Sequence, residues 1–348
     1  MTLADLQERV RTAASRRAAL RLRGGGTKDF YGNALRGEML DTRGYAGIVA
    51  YEPTELVVTA RCGTALAELE SLLEERQQCL AFEPPHFGEG ATLGGCIAAG
   101  LSGPRRAAAG ALRDFVLGVK LVDGRGQALT FGGQVMKNVA GYDVSRLVAG
   151  SLGTLGLIAE VSLKLAPRPQ VESTLRLEMA QARALEAMNR WAGQPLAISA
   201  TAWHDGEVSV RLSGSATAVR TAAAKIGGTA VDAGLWRDLR EHTHAFFSGP
   251  EPLWRVSVPS VAAPLNLPGS ELIEWGGALR WLKSTADAAA VRDAARRVNG
   301  HATLFRAQDK AAGCFSPLDP VLARVHKELK AAFDPAGIFN PGRMYPEL

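Results

Sequence analysis

Arg21–Phe30 reads RLRGGGTKDF, with three consecutive glycines between a short apolar-basic strand and a threonine. Each glycine in ordered structure gives up roughly 0.5–1 kcal/mol against alanine, so such a run persists where something must come close to the main chain. A phosphate is the usual visitor. The run lacks the Gly-Lys-Ser/Thr ending of a P-loop and the Gly-x-Gly-x-x-Gly spacing of the dinucleotide fingerprint. Lys28, Asp29, Phe30, Tyr31 and Gly32 make a poor amphipathic helix start, so the loop is expected to close a nest of backbone N–H groups rather than cap a helix. Taken alone, the run fits a surface turn equally well, and the rest of the chain has to decide.

The chain has 348 residues, 47% hydrophobic and 22% charged, which suits a globular protein with room for two cores. A net charge of +5 without a Lys/Arg block does not call for nucleic acid, while an anionic cofactor or acidic substrate is compatible with it. Cys62, Cys79, Cys96 and Cys314 form no Cys-x-x-Cys pair, which excludes a self-contained zinc or iron–sulfur site built from them and predicts buried, reduced thiols. No basic-then-apolar leader follows Met1, and no apolar run approaches the roughly 18 residues needed to span a bilayer. A cytoplasmic setting is expected, with peripheral attachment to the inner face of the membrane through partners left open.

Thr2 and Asp5 predict a capping box for a helix through Arg17, which feeds a strand at Leu20–Arg23 and then the glycine loop. An alternating strand around Leu56–Ala60 precedes Thr64, placed to cap a helix whose Leu66, Leu69, Leu72 and Leu73 form a core face. From Phe82 to Gly110 the chain holds seven glycines and little periodicity, so extended loops and short turns are expected. Val116–Val122 and Ala128–Phe131 predict a hairpin across Asp-Gly-Arg-Gly. Gly150, Gly153 and Gly156 then bare one strip of backbone ahead of a strand at Leu157–Leu165. Pro167 and Pro169 mark a boundary, followed by strands and Ala-rich helices to about Ala323.

Three glycine-rich stations separated by strands, closed by FDPAGIFNPGRMY (Phe333–Tyr345), resemble the FAD-binding domain of the vanillyl-alcohol oxidase and p-cresol methylhydroxylase (PCMH-type) superfamily. Within it, TLGGCIAAGLSGPRR (Thr92–Arg106), RDFVLGVKLVDGRG (Arg113–Gly126), VMKNVAGYDVSRLVAGSLGTLG (Val135–Gly156) and FNPGRMYPEL (Phe339–Leu348) together are similar to the smaller FAD-binding subunits of bacterial glycolate oxidases. The resemblance implies an α+β flavoprotein: a PCMH-type two-subdomain FAD-binding domain over residues 1–168, a short α+β cap over 169–325, and a tail over 326–348 returning to the FAD domain. It implies an FAD-dependent oxidoreductase subunit acting on a small 2-hydroxyacid, glycolate to glyoxylate. Its partners would be a larger flavin subunit and an iron–sulfur subunit that takes the electrons.

Carried over position by position, Arg23, Gly24, Gly25, Gly26, Thr27 and Lys28 would wrap the flavin pyrophosphate. Gly90, Ala91, Thr92, Gly94 and Gly95, with Ser102 and Gly103, match the second station along the flavin and ribityl chain. Gly153, Thr154, Gly156 and Ile158 match the third, and Asn340 and Arg343 the C-terminal return. Arg105 and Arg106 read equally as a solvated pair, a carboxylate fork or a partner contact. Thr27 stands where covalently flavinylated relatives carry histidine, so the FAD is expected to be noncovalent. The Gly-Asp-Gly-Asn-x-His cluster of the 2-hydroxyacid dehydrogenases is missing, no metal site is expected, and Leu152 replaces a common glutamate. No catalytic base is identified. His242 and His244 read as surface residues and His301 as a core histidine, although it is the first base candidate to test. A stand-alone FAD oxidase and a structural subunit with a vestigial flavin site remain the alternatives.

Overall fold

The computed structural model describes residues 1–133 and 142–348; positions 135–141 of the third motif lie outside them. The Thr2–Asp5 box opens α1 (Leu3–Arg16), with both reciprocal hydrogen bonds formed and Arg17 closing the helix in the left-handed region. The chain then forms β1 (Leu20–Arg23), which pairs in parallel with β2 (Glu38–Asp41). Next come β3 (Ile48–Glu52), β4 (Val57–Arg61), α2 (Leu66–Glu74), β5 (Gln78–Cys79), α3 (Leu93–Ala99) and α4 (Arg106–Ala109). The half ends with β6 (Val116–Val122), β7 (Ala128–Gly132), α5 (Val144–Val148), β8 (Leu157–Lys164) and β9 (Ala166–Pro167).

Strands β3-β4-β8-β6-β7 form an antiparallel sheet. Because β4 lies inside it, Val57 to Ala60 are all buried rather than alternating. Thr64 does not cap α2. Its hydroxyl is engaged by the backbone of Gly47, and Ala65 precedes the helix without a side-chain cap. Leu66, Leu69 and Leu73 are buried against the sheet as expected, with Leu72 at the edge. The stretch expected to be loops contains α3, capped by Thr92, because Leu93, Cys96 and Ile97 share one buried face at helical spacing.

The second half forms β10 (Val171–Glu178), α6 (Gln181–Ala192), β11 (Ile198–His204), β12 (Glu207–Gly214), α7 (Ala216–Ile226), β13 (Thr229–Val231), α8 (Gly234–Glu241) and β14 (Leu253–Ser257). It continues through β15 (Ser270–Glu274), β16 (Leu279–Lys283), α9 (Ala288–Arg297), β17 (His301–Arg306) and α10 (Pro320–Phe333), the last running across residue 325. Its eight strands make one sheet in the order β13-β10-β12-β11-β15-β16-β14-β17.

One face of that sheet meets the first half through a shared apolar cluster. Tyr31, Ala99 and Leu101 pack with Trp236, Trp275, Trp281 and Phe305. Ion pairs lie beside it: Arg105 joins Glu83 (3.4 Å) to Glu172 (2.5 Å), and Arg211 reaches Glu83 at 2.9 Å. Arg105 thus serves the junction of the two halves, and Arg106 lies over the Trp275 ring at 4.5 Å.

After α10 the chain turns back. Phe339 bridges Leu20 in parallel, and Ile338 and Phe339 are buried with Leu6, Val10 and Leu40. The turn is held by Asp334, whose carboxylate accepts from Lys330 Nζ (2.7 Å) and from the backbone N–H groups of Ile338 and Phe339. Among the described residues, no helix is long and apolar enough to cross a membrane.

Candidate functional site: a glycine-lined cleft and an adjoining chamber

The glycine loop and its neighbours line an open cleft. Each glycine in the loop answers a different local demand. A Cβ on Gly24 would stand 2.0 Å from Thr92 Oγ1, and one on Gly25 would stand 1.7 Å from the carbonyl oxygen of Gly90. These two are bare because the second station packs directly on them. Gly26 has φ +74°, and its missing side chain leaves room for the Arg23 guanidinium, which pairs with Asp29 at 2.8 Å.

The nest expected here is an unsatisfied one. Among the described residues, the backbone N–H groups of Gly24, Gly25, Gly26, Thr27 and Lys28 donate to no protein acceptor. Five successive free donors with Arg23 and Lys28 alongside suit an anion such as a pyrophosphate. Lys28 has no carboxylate partner among the described residues, donating instead to the carbonyl of His86 at 3.1 Å. Burial holds its ammonium below the ordinary lysine range.

Arg23 through Lys28, Thr92, Gly94, Gly95, Gly153, Gly156, Ile158, Asn340 and Arg343 all line this cleft, with Leu22, Thr42, Cys62 and Leu152 joining them. Asn340 ties two stations together, accepting from Leu22 N–H at 2.9 Å and donating to the Leu152 carbonyl at 2.6 Å. Arg343 is committed to the backbone: its guanidinium gathers the carbonyls of Lys28, Asp29, Tyr31 and Asn33 and so shapes the far end of the glycine loop. Burial pushes the Cys62 thiol up to about 12, which leaves it unreactive beside the cleft.

Five residues of the stations lie off the cleft wall. The Gly90 carbonyl faces Gly25, and the Ala91 carbonyl accepts from Leu66 N–H. Ser102 Oγ accepts from Leu112 N–H. Thr154 is buried, donating to the Ser151 carbonyl, while its own carbonyl accepts from Lys330. Gly103 receives the Trp275 indole N–H on its carbonyl at 3.1 Å.

Ser102 and Gly103 instead border a second, smaller cavity of about 20 Å³ at the junction with the eight-stranded sheet. Phe87 forms a wall between the two: it lines the chamber, and Lys28 Nζ of the cleft lies 5.7 Å from its ring centre. His242, expected at the surface, lines this chamber. It stacks on Phe247 at 3.8 Å, contacts Trp281, Phe87 and Phe305, and its Nδ1 is sealed from solvent with no partner. His244 is half-buried and accepts from Phe246 N–H, and His301 is exposed at the start of β17 rather than in the core. The spacing of His-Thr-His does not signal this: Phe247, five residues on, supplies one ring, but the others come from Phe87, Trp281 and Phe305.

Glu274, 4% exposed at the end of β15, accepts from the Trp281 indole at 2.8 Å, and burial lifts its carboxyl from 4.5 to about 7. The folded protein therefore keeps a proton here that the unfolded chain releases. The stability this group contributes is full below its ordinary pKa and is lost as pH rises through about 7. Glu274→Gln is expected to flatten that decline by on the order of 3 kcal/mol between about pH 5 and pH 8, measured by urea unfolding at each pH. Parallel stability curves for the two proteins would remove this account of Glu274.

Residues 1–132 match a family model described as FAD binding domain, and residues 309–344 match FAD linked oxidases, C-terminal domain. Glycolate oxidase subunit GlcE of Escherichia coli (strain K12) is 49% identical over 343 residues, covering 99% of this chain and 97% of that protein. The chain belongs to the GlcE family. As a GlcE-family protein it is an FAD-dependent oxidoreductase subunit with FAD as its cofactor. Glycolate oxidase subunit GlcD of Bacillus subtilis (strain 168) is 34% identical over 129 residues, 37% of this chain and 27% of that one. In three dimensions, alkyldihydroxyacetonephosphate synthase superposes with a TM-score of 0.68 at 16% identity, covering 96% of this chain and 74% of that one, which supports the α+β flavoprotein fold alone.

Proposed function

We propose that this GlcE-family chain is the smaller flavin subunit of a complex oxidising glycolate to glyoxylate, joined by a larger flavin subunit and an iron–sulfur subunit. The run of five unsatisfied backbone donors at Gly24–Lys28 carries the reading, since it supports a pyrophosphate-bearing cofactor laid noncovalently along the cleft. In that arrangement Arg23 and Lys28 supply countercharge, Gly153 and Ile158 border the remaining length, and Asn340 and Arg343 hold the walls in register. Bound there, FAD supplies a two-electron acceptor for an alcohol carbon.

Acid precipitation of the purified protein is expected to release one FAD per chain into the supernatant. Recovery of FMN, of no flavin after reconstitution, or of flavin that stays with the precipitate would overturn the cofactor geometry. No cysteine pair of this chain is spaced to hold a cluster, and the described residues contain no group of three or more His, Cys, Asp or Glu able to hold a metal ion. Glycolate oxidation with an artificial electron acceptor is therefore expected only when all three chains are recombined. Steady-state assays of separate and recombined subunits decide it, and full turnover by this chain alone would favour an autonomous oxidase.

A further inference from the structure

The last helix of the chain is set against the body the wrong way round. Helices of globular proteins draw most of their stability from an apolar face laid on a core. In α10 the one buried side chain is Lys330, while Val321, Leu322 and Val325 are 62%, 48% and 40% exposed. At roughly 100° per residue, Val321, Leu322, Val325, Leu329, Ala332 and Phe333 fall within an arc of about 120°, and Lys330 lies outside it, on the body side. Phe333 closes one end of the arc, its ring centre 6.2 Å from that of Phe131. Beside the arc runs a groove of about 330 Å³ between α10 and α5, lined by Leu155, Leu329 and Met344, with the exposed Leu147 of α5 on its far bank. Other exposed large apolar side chains, such as Val49, Val171 and Val261, stand apart on separate segments, so the concentration on α10 marks it as a contact surface.

We propose that this face of α10 and the groove beside it dock another subunit of the complex, through an apolar segment edged with carboxylates. The apolar arc supplies the contact area, and charge chooses the partner. Among the described residues no acidic side chain lines the groove, whereas Arg113 and Arg146 do. Arg146 is paired with Asp143 at 3.1 Å, and Lys330 is spent on Asp334. Along the other edge of the arc Arg324 and Lys327 outnumber Glu328. A second copy of this chain would therefore bring like charges together on either edge, which disfavours a symmetric pair, whereas an acidic-edged segment meets cations on both. The inner side of the helix suits the role as well. Lys330 donates to the carbonyl of Thr154 at 2.8 Å, between the Gly153 and Gly156 of the cofactor cleft, so a chain seated on α10 stands one helix away from the cleft wall. The inference rests on the proposed function for the existence of partner subunits, and it assigns the surface that receives one of them.

The test is biolayer interferometry of the flavin-containing chain against the larger flavin subunit, the iron–sulfur subunit and the two premixed. Leu322→Glu and Val325→Glu are each expected to weaken binding about 10-fold or more, and together to weaken it further. Leu322→Lys is expected to lose less than Leu322→Glu, because a lysine meets the partner's carboxylates where a glutamate repels them. Val171→Glu, at an exposed apolar position of β10, is the control and is expected to bind as the parent does. Flavin content and melting temperature are read on every variant and are expected to match the parent, since the substituted side chains are exposed; if one glutamate variant fails to fold, the other and Leu322→Lys still decide. Glutamate variants that bind as the parent does, or a larger loss for lysine than for glutamate, would overturn the inference and leave the proposed function standing. An α10-dependent self-association on sedimentation, or α10-dependent adsorption to phosphatidylglycerol–phosphatidylethanolamine vesicles, in place of subunit binding would overturn it too. Failure of the parent to bind any of the three preparations would remove the proposed complex along with it.

Discussion

Replacing Asp334 with alanine is expected to lower the unfolding free energy by about 3–5 kcal/mol, the usual consequence of removing one partner of a buried ion pair. Lys330 is 8% exposed and Asp334 1%, so the ammonium would be left in the interior with only the carbonyls of Thr154 and Phe339. Two backbone donors, of Ile338 and Phe339, would lose their acceptor as well. Asp334→Asn should lose less, because its amide oxygen still takes one of those N–H groups. Chemical denaturation of the three proteins reads the difference in midpoint, and a loss below about 1 kcal/mol for the alanine variant would show that the turn is held by packing instead.

Gly25→Val is expected to abolish flavin retention. The contact at 1.7 Å is with the backbone of Gly90, which cannot rotate aside as a side chain would, so the two glycine stations must separate. That separation spoils the register of the free N–H groups, and a β-branched residue cannot relax the strain by changing rotamer. The sheets lie elsewhere and should survive, as judged by circular dichroism. Gly90→Ala supplies the contrast: at φ +82° it costs about 1–2 kcal/mol of backbone strain, but nothing lies within 4 Å of the added carbon. It is expected to keep its flavin. Equal flavin occupancy in Gly25→Val and the parent would reduce the glycine run to a turn.

Local signals in the chain were the readable ones. The Thr2–Asp5 box, the β1 strand and the β6–β7 hairpin each depend on residues within a few positions of one another, and each forms where expected. The three stations do converge, and most of their residues share one cleft. What escaped were features made by distant partners. The first two glycines of the loop are bare to admit the second station, Gly24 the Thr92 side chain and Gly25 the Gly90 backbone, not only a ligand. Thr64 bonds backward to Gly47 instead of forward to α2. The short helix α3 hides among glycines because its burial comes from the sheet it meets, not from its own propensity. His242 stands apart from any motif, and the cavity it lines takes its walls from both halves of the molecule.

The strap across the glycine loop has a temporal consequence. Asn340 holds Leu22 from 318 positions downstream, and Arg343 gathers the carbonyls that follow the loop. On the ribosome the cradle emerges first and waits on the order of half a minute for its fastening, at ordinary elongation rates. Cofactor capture is therefore expected only once Asn340 and Arg343 have emerged, and a nascent chain arrested before residue 339 should display folded sheet without holding flavin. Loading would then act as a checkpoint, reporting that translation has passed the strap before the subunit is offered to its partners.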